Sequence, residues 1–333
     1  MRLRLLSILL ILLISGSAWA DKLSVQARPV SFSNIERSQI KFGEMIFLGG
    51  LVLESVNPNF GGFSGVLVTG NGKNLLAVSD QGRWFSAALQ YREGRLAAIS
   101  NPAIGALHDR KGKRFKRKRH QDAESIALFG NRLSAGVIVG FERDTRIELY
   151  KYSADGLTGR AKTIKVPAGL ERGPNNRELE SIGRFTAGPN AGKFIAISER
   201  NLDQNGNIIG YLWAKKRKKG KRFAIARRQD YSVTDLAILR GGDMVILERR
   251  LGFFKIPGMA MRLIKAKDIA AGKAADGRVL MEASAPGHTV DNMEGLSAHR
   301  DDQGRLVFTI ISDDNFNRGL QRTLLLQFAW PGH

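Results

Sequence analysis

The sequence predicts an all-β protein, a β-propeller with five or six blades whose ring is closed by an N-terminal strand. Three observations point there. Helix-period patterns are scarce, and residues 265–273 offer only one short candidate helix. Short apolar and β-branched runs recur instead, broken by Gly, Asn and Asp, as at residues 74–79, 134–140, 193–198, 243–247 and 306–312. These runs sit inside a repeat. Aligned on Ser64, Glu124, Glu180, Asp235 and Glu294, the units step by 60, 56, 55 and 59 residues. A unit of this length with three or four strands cannot bury both sheet faces alone, and radial packing against two neighbours does so.

The elements follow in chain order. Arg2 and Arg4, an apolar run from Leu5 to Ile14 and the small residues Ala18 and Ala20 read as a Sec-type signal peptide over residues 1–20, cleaved before Asp21. That implies a periplasmic or secreted protein with no transmembrane span after signal removal. Residues 21–40 read as a leader segment and residues 41–331 as the propeller domain. The strand-like runs 44–48 and 51–53 have no unit of their own, so they are expected to pair with the last blade and remove its open edge. In each unit a short inner element precedes the apolar strand, which ends at or beside an acid: Asp80, Glu142, Glu199, Glu248 and Asp313. A third strand often follows, at residues 146–152, 208–213, 261–264 and 323–328.

Composition narrows the chemistry. The 333 residues include no cysteine, which excludes disulfides, thiolate metal sites and a cysteine nucleophile. A formal net charge of +21 favours anionic partners, either an anionic small-molecule substrate or an envelope polyanion. Nucleic acid is disfavoured by export and by basic tracts, residues 111–119 and 215–222, that lack interleaved aromatics for base stacking. The zincin, Walker A and dinucleotide fingerprints are absent, and residues 62–66 lack the last glycine of a nucleophile elbow.

A propeller gathers equivalent positions of all blades around one axis. It would therefore bring Glu124, Glu180, Asp235 and Glu294 together, and also Asp80, Glu142, Glu199, Glu248, Asp313 and Asp314. Clustered carboxylates repel unless a cation compensates. One reading is a hard divalent ion, calcium first, held by Glu124, Glu180, Glu294, Asp313 and Asp314, with Asn175, Asn176, Asn201, Asn292 and Asn315 as neutral oxygen donors. Asp80, Glu199 or His288 then serves as the proton-transfer residue. The other reading pairs the acids with nearby Arg83, Arg143, Arg177, Arg200, Arg249 and Arg318 to fix the blades. The run 201–207 looks like the front of a calcium loop, but Leu212 stands where its last carboxylate belongs, and a hairpin turn accounts for it better. A surface loop position is the alternative for His288, and His108 and His120 flank a basic tract and read as solvated.

Several of these segments together carry a resemblance. They are Phe63-Ser64-Gly65, residues 76–82 with Ser79-Asp80-x-Gly82, Asp122-Ala123-Glu124-Ser125, Asn176-Arg177-Glu178-Leu179-Glu180-Ser181, Ser198-Glu199-Arg200, Asn292-Met293-Glu294-Gly295-Leu296, residues 311–316 and Gln321-x-Thr323-x-Leu325. Over about residues 45–330 the chain resembles the phytase-like domain, also described as esterase-like activity of phytase. The resemblance implies a β-propeller, export, and hydrolysis of phosphate or carboxylic esters. An ester hydrolase of the lactonase type, sharing the calcium propeller but acting on carboxylic esters, is a further reading. The alternative is a non-catalytic periplasmic propeller that binds an envelope polyanion or protein partner.

Overall fold

Each of five sheets begins with a strand that carries Gly, Ser or Ala within its first three residues, which lets the inner strands approach one another. In the computed structural model, which describes residues 21–153, 156–171, 179–215, 220–228, 230–252, 254–269 and 273–331, every sheet is an antiparallel meander. Blade I comprises Phe63–Thr69, Asn74–Ser79, Arg83–Arg92 and Arg95–Ala106. Blade II is Ala123–Leu128, Val137–Phe141, Arg146–Ser153 and Gly156–Ile164. Blade III is Ser181–Arg184, Lys193–Leu202, Ile208–Ala214 and Lys221–Ile225. Blade IV is Ser232–Ile238, Met244–Arg250, Gly258–Ile264 and Arg278–Ser284. Blade V has only three strands from the C-terminal part of the chain: Met293–Arg300, Leu306–Ser312 and Thr323–Trp330. Its fourth strand is Met45–Glu54, antiparallel to Thr323–Trp330, and Gln26–Val30 adds a fifth. The ring is thus closed by the N-terminal strand, and the blade count is five.

The first strand of each blade lines the axis and contacts the first strands on either side. Close approach there demands small residues. A Cβ on Gly65 would lie 2.9 Å from the amide nitrogen of Ile126, and one on Gly295 would lie 2.8 Å from that of Val66. Polar latches join the inner strands. Ser125 Oγ accepts the Ile182 N–H at 2.9 Å, and Ser297 Oγ accepts the Val68 N–H at 2.8 Å. Asp235 accepts from its own blade (Leu236 N–H, 2.8 Å) and from the next (Leu296 N–H, 2.7 Å). Five large apolar clusters fill the wedges between neighbouring blades, for example Val78, Trp84, Val139 and Phe141 between blades I and II. Phe32 and Phe42, from the segment before the closing strand, seal the wedge between blades IV and V.

Asp235 is 1% exposed, and burial pushes its carboxyl well above the usual range despite the donors it faces. Replacing Asp235 with alanine leaves two buried N–H groups unpaired, each costing about 1–3 kcal/mol. Asp235→Ala is expected to lose about 3 kcal/mol in urea denaturation; a loss below about 1 kcal/mol would show that Asp235 does not latch the blades.

The short helix expected at 265–273 is a 3₁₀ turn at Ala266–Asp268, with 270–272 outside the described residues. Asp243 accepts the Ala266 N–H at 2.8 Å and pairs with Lys265, which anchors the chain in a turn before a helical ladder can propagate. The run 201–207 forms a hairpin turn in which Asp203 Oδ1 accepts the N–H groups of Asn205 and Asn207, each at 2.9 Å. No helix among the described residues is long and apolar enough to cross a membrane. Residues 1–20, the expected signal peptide, lie outside the described residues, as do Asn175, Asn176, Arg177 and His333.

Candidate functional site: a carboxylate-lined mouth

The site is built by a repeated irregularity. In blades I, II, IV and V the pairing of the first two strands skips one residue of the inner strand: Ser64, Glu124, Thr234 and Glu294. Glu180 holds the same place in blade III, one residue before Ser181, which faces Ile197. A bulge kinks its strand and re-aims the extra side chain, here at the start of each inner strand. Opposite it, within or just past the last residues of the second strand, stand Asp80, Glu142, Glu199, Arg249 and Asp313. The N–H groups of Asp80, Glu142 and Asp313 each donate to the residue two before the bulge, Gly62, Asp122 and Asn292, at 3.0, 3.0 and 2.9 Å. The blades therefore present the same two side-chain positions at the same end of the channel.

This register corrects the repeat reading in blade IV. Spacing placed Asp235 and Glu248 in the two acid sets; Thr234 and Arg249 stand there instead. A shift of one residue sends a strand side chain to the opposite face. Asp235 becomes the latch described above. Glu248, fully buried, points into its blade against Arg262 at 2.7 Å and Arg228 at 3.6 Å.

The acids of blades I, II, III and V converge. Burial, then Asp122, Glu142 and Asp80, raise the Glu124 carboxyl well above its usual value, against a hydrogen bond with Ser64. Glu180, 9% exposed, is raised likewise by burial and by Glu124, Glu199 and Glu142, with Arg249 opposing, and its carboxyl makes no hydrogen bond to a described residue. Asp313, 7% exposed, is pushed up to about 7 by burial; the Asn315 N–H and Arg249 oppose this, while Asp80 and Asp314 add to it. Two groups of cations answer these charges. Lys118 donates to Asp80 Oδ2 at 2.6 Å and Asp122 Oδ1 at 2.8 Å, while Arg143 Nε reaches Asp122 Oδ2 at 2.8 Å. Arg249 bridges blades, donating to Glu199 Oε1 at 3.2 Å and, through Nη1, to Glu294 and Asn292. Asp80 Oδ1 is buried with no hydrogen-bond partner among the described residues.

Of the residues singled out by sequence, Asp80, Glu124, Glu180, Glu199, Glu294 and Asp313 share this mouth. Asp314 serves the backbone instead. Its Oδ1 accepts the N–H groups of Gly62 (3.0 Å) and Phe316 (3.1 Å), clamping two loops of the rim. His288 packs on Phe32 and Phe42 (centroids 5.3 and 5.7 Å), and its Nδ1 lies 3.2 Å from the Ser284 carbonyl, in the seal between blade IV and the N-terminal segment. Both readings of the acids have members. Glu199, Glu294 and Glu248 pair with arginines, whereas Glu180 makes no ion pair with a described residue.

Four contributors were missed by sequence reasoning. Asp122 stands two residues before Glu124, a spacing that keeps both side chains on one side of a strand. Glu142 belongs to the second acid set but was not among the expected ligands. Lys118 reads as part of a solvated tract, yet its short helical turn, Lys118–Gln121, carries it to the rim. Arg249 stands out in sequence only as an acid partner. Ligand oxygens of Asp122, Glu124 and Glu142 lie within 4.8 Å of one another, close enough to hold one metal ion. An all-oxygen set of carboxylates suits a hard cation.

The family model for phytase-like proteins, described as esterase-like activity of phytase, matches residues 58–316. The chain belongs to the phytase-like family. Its motif segments come from blades I, II, III and V, all but residues 321–325 fall within that match, and the carboxylate mouth is the part of the phytase-like propeller where they meet. No curated protein matches the sequence. Among solved structures, the phytase-like chain is similar to an endo-arabinase from Bacteroides thetaiotaomicron VPI-5482, with 11% identity, 81% of this chain and 94% of that one covered, and a TM-score of 0.47. It is also similar to the β-propeller domain of Myceliophteria thermophila Cps50 (Swd1), with 8% identity, coverage of 91% and 98%, and a TM-score of 0.39. A third similarity is to the tail fibre of Staphylococcus aureus phage P68, with 10% identity, coverage of 91% and 53%, and a TM-score of 0.43.

Proposed function

We propose that the carboxylate mouth hydrolyses a phosphate or carboxylic ester of an anionic small molecule, with a divalent cation, calcium by donor chemistry, held at Asp122, Glu124 and Glu142. The observation that supports this reading is the convergence of buried, mutually repelling carboxylates from four blades on an otherwise basic protein. A fold that needed only structural pairing would not leave the Glu180 carboxyl nine-tenths buried among Glu124, Glu142 and Glu199 without a hydrogen bond to a described residue. A bound cation would offset the substrate's charge and polarise the ester. Asp80 is the proton acceptor of choice. Its Oδ1 has no competing donor among the described residues, and its Oδ2 is held by Lys118, which fixes the carboxylate in place. In hydrolysis the attacking water would give a proton to Asp80 as its oxygen bonds to phosphorus or acyl carbon, and as the ester bond breaks Asp80 would pass that proton to the departing ester oxygen. The exposed Lys111, Lys113, Arg114, Lys116, Arg117 and Arg119 border this mouth through Lys118 and would draw an anion toward it.

That same basic border favours the second reading, a platform for an envelope polyanion. One experiment separates them. The purified protein is assayed on a panel of phosphomonoesters, phosphodiesters, carboxylic esters and lactones with calcium or with EDTA. Turnover that EDTA removes and that Glu124→Gln lowers at least ~100-fold is the expected result. Absence of turnover across the panel, with salt-sensitive retention on a polyphosphate resin, would establish the platform instead.

A further inference from the structure

The five equivalent positions at the ends of the second strands hold Asp80, Glu142, Glu199, Asp313 and one base, Arg249. We infer that Arg249 is a built-in counter-cation that fills one half of the mouth, so that the protein takes a single divalent cation, on the side of blades I to III. This rests on the cation reading above and deepens it by assigning which carboxylates bind.

The two halves differ in what their carboxylates touch. On the blade III–V side the guanidinium lies between Glu199 and Glu294 and also donates to Asn292 Oδ1. Its side chain is 14% exposed and rises from a strand, so the charge is delivered at a fixed place. A planar fork with several donors can satisfy two carboxylates and an amide at once. One oxygen of each carboxylate and the Asn292 amide oxygen are therefore already bound to a cation. On the blade I–III side the donor oxygens of Asp122, Glu124 and Glu142 are grouped. The Glu180 carboxyl, nine-tenths buried, faces Glu124 and Glu142 with no hydrogen bond to a described residue, and Asp80 Oδ1 is buried without a partner among those residues. The positive groups there, Lys118 and Arg143, are of another kind. Arg143 Nε reaches Asp122 Oδ2 at 2.8 Å from a side chain that is 42% exposed. Lys118 starts a short helical turn, more than a third of its side chain is exposed, and its flexible stem lets it release Asp122 while keeping the Asp80 carbonyl and carboxylate, 2.7 and 2.6 Å away.

The test counts bound calcium by isothermal titration and native mass spectrometry on the full chain. The expected stoichiometry is one for the wild type, none for Glu124→Gln, one for Glu294→Gln, one for Arg249→Lys and two for Arg249→Gln. Lys118→Met should remain at one while binding calcium about 10-fold more tightly. If Arg249→Gln does not fold, the contrast between Glu124→Gln and Glu294→Gln still decides which half binds. A count of one in folded Arg249→Gln, a count of two in Lys118→Met, or loss of binding in Glu294→Gln but not Glu124→Gln overturns the inference. A count of none in the wild type overturns the cation reading itself.

Discussion

Glu180→Gln is expected to raise the melting temperature of the cation-free protein by about 4 °C while lowering ester turnover at least ~100-fold. The two effects share a cause. Glu180 is buried against Glu124, Glu199 and Glu142, so its ionised form is opposed by desolvation and by like charge. Glutamine keeps the shape, removes one negative charge, and brings an amide group that can donate to the neighbouring carboxylates. In a structural role the same carboxylate would be paired, and its removal would destabilise. Scanning calorimetry in EDTA and an ester assay in calcium therefore read opposite signs. A fall in melting temperature, or turnover left at the wild-type level, would place Glu180 in the scaffold and empty the mouth of its proposed chemistry.

Stability should also run against the usual acid-denaturation trend. Glu124, Glu180 and Asp313 hold protons more tightly folded than unfolded, Asp313 titrating at about 7. For a carboxyl raised on folding, the native state binds more protons than the unfolded one between the two values, so stability falls as pH rises through that window. The window opens near 4, the ordinary carboxyl value, and for Asp313 closes at about 7. Carboxyls lowered on folding, such as Asp301 with Arg305 and Glu282 with Arg228 and Tyr231, act below that window. His299, which burial lowers to about 4, and His108, lowered likewise, gain stability as pH rises toward the ordinary imidazole value and offset part of the fall. The cation-free protein is expected to melt about 5 °C lower at pH 8 than at pH 5. Calcium at 100 times its dissociation constant should restore about 6 °C at pH 8 and almost nothing at pH 5, where protons already occupy the carboxylates. Melting curves across pH 5–8 with calcium or EDTA check this. A rising curve without cation, or an equal calcium effect at both ends, would contradict the repulsion on which the site depends.

Much of the architecture was legible because propellers write their geometry into local pattern. The five apolar second strands, the turns between them and the unmatched run at residues 44–53 are visible as composition and spacing. Closure by Met45–Glu54 follows from them, since an unpaired edge of that length must be covered. The site was legible at the level of residue type. Glu124, Glu180, Glu199, Glu294, Asp80 and Asp313 were found because a repeat marks equivalent positions even without coordinates. Asp314 and His288 stand out only by proximity along the chain to such positions, and proximity does not fix direction. One carboxylate clamps backbone, and the imidazole packs on two phenylalanines.

What the sequence determined by itself is periodic: strand content, blade length, closure, and the presence of acids at two places per repeat. Register and direction were decided only in three dimensions. A bulge adds one residue without leaving a mark in composition, so Thr234 and Arg249, and not Asp235 and Glu248, occupy the mouth in blade IV. Contacts between residues 50 or more apart, such as Arg249 with Glu199, depend on how the blades turn about the axis. Long-range Coulomb and desolvation effects, which set the protonation of Glu124 and Glu180, arise only once those blades have closed into a ring.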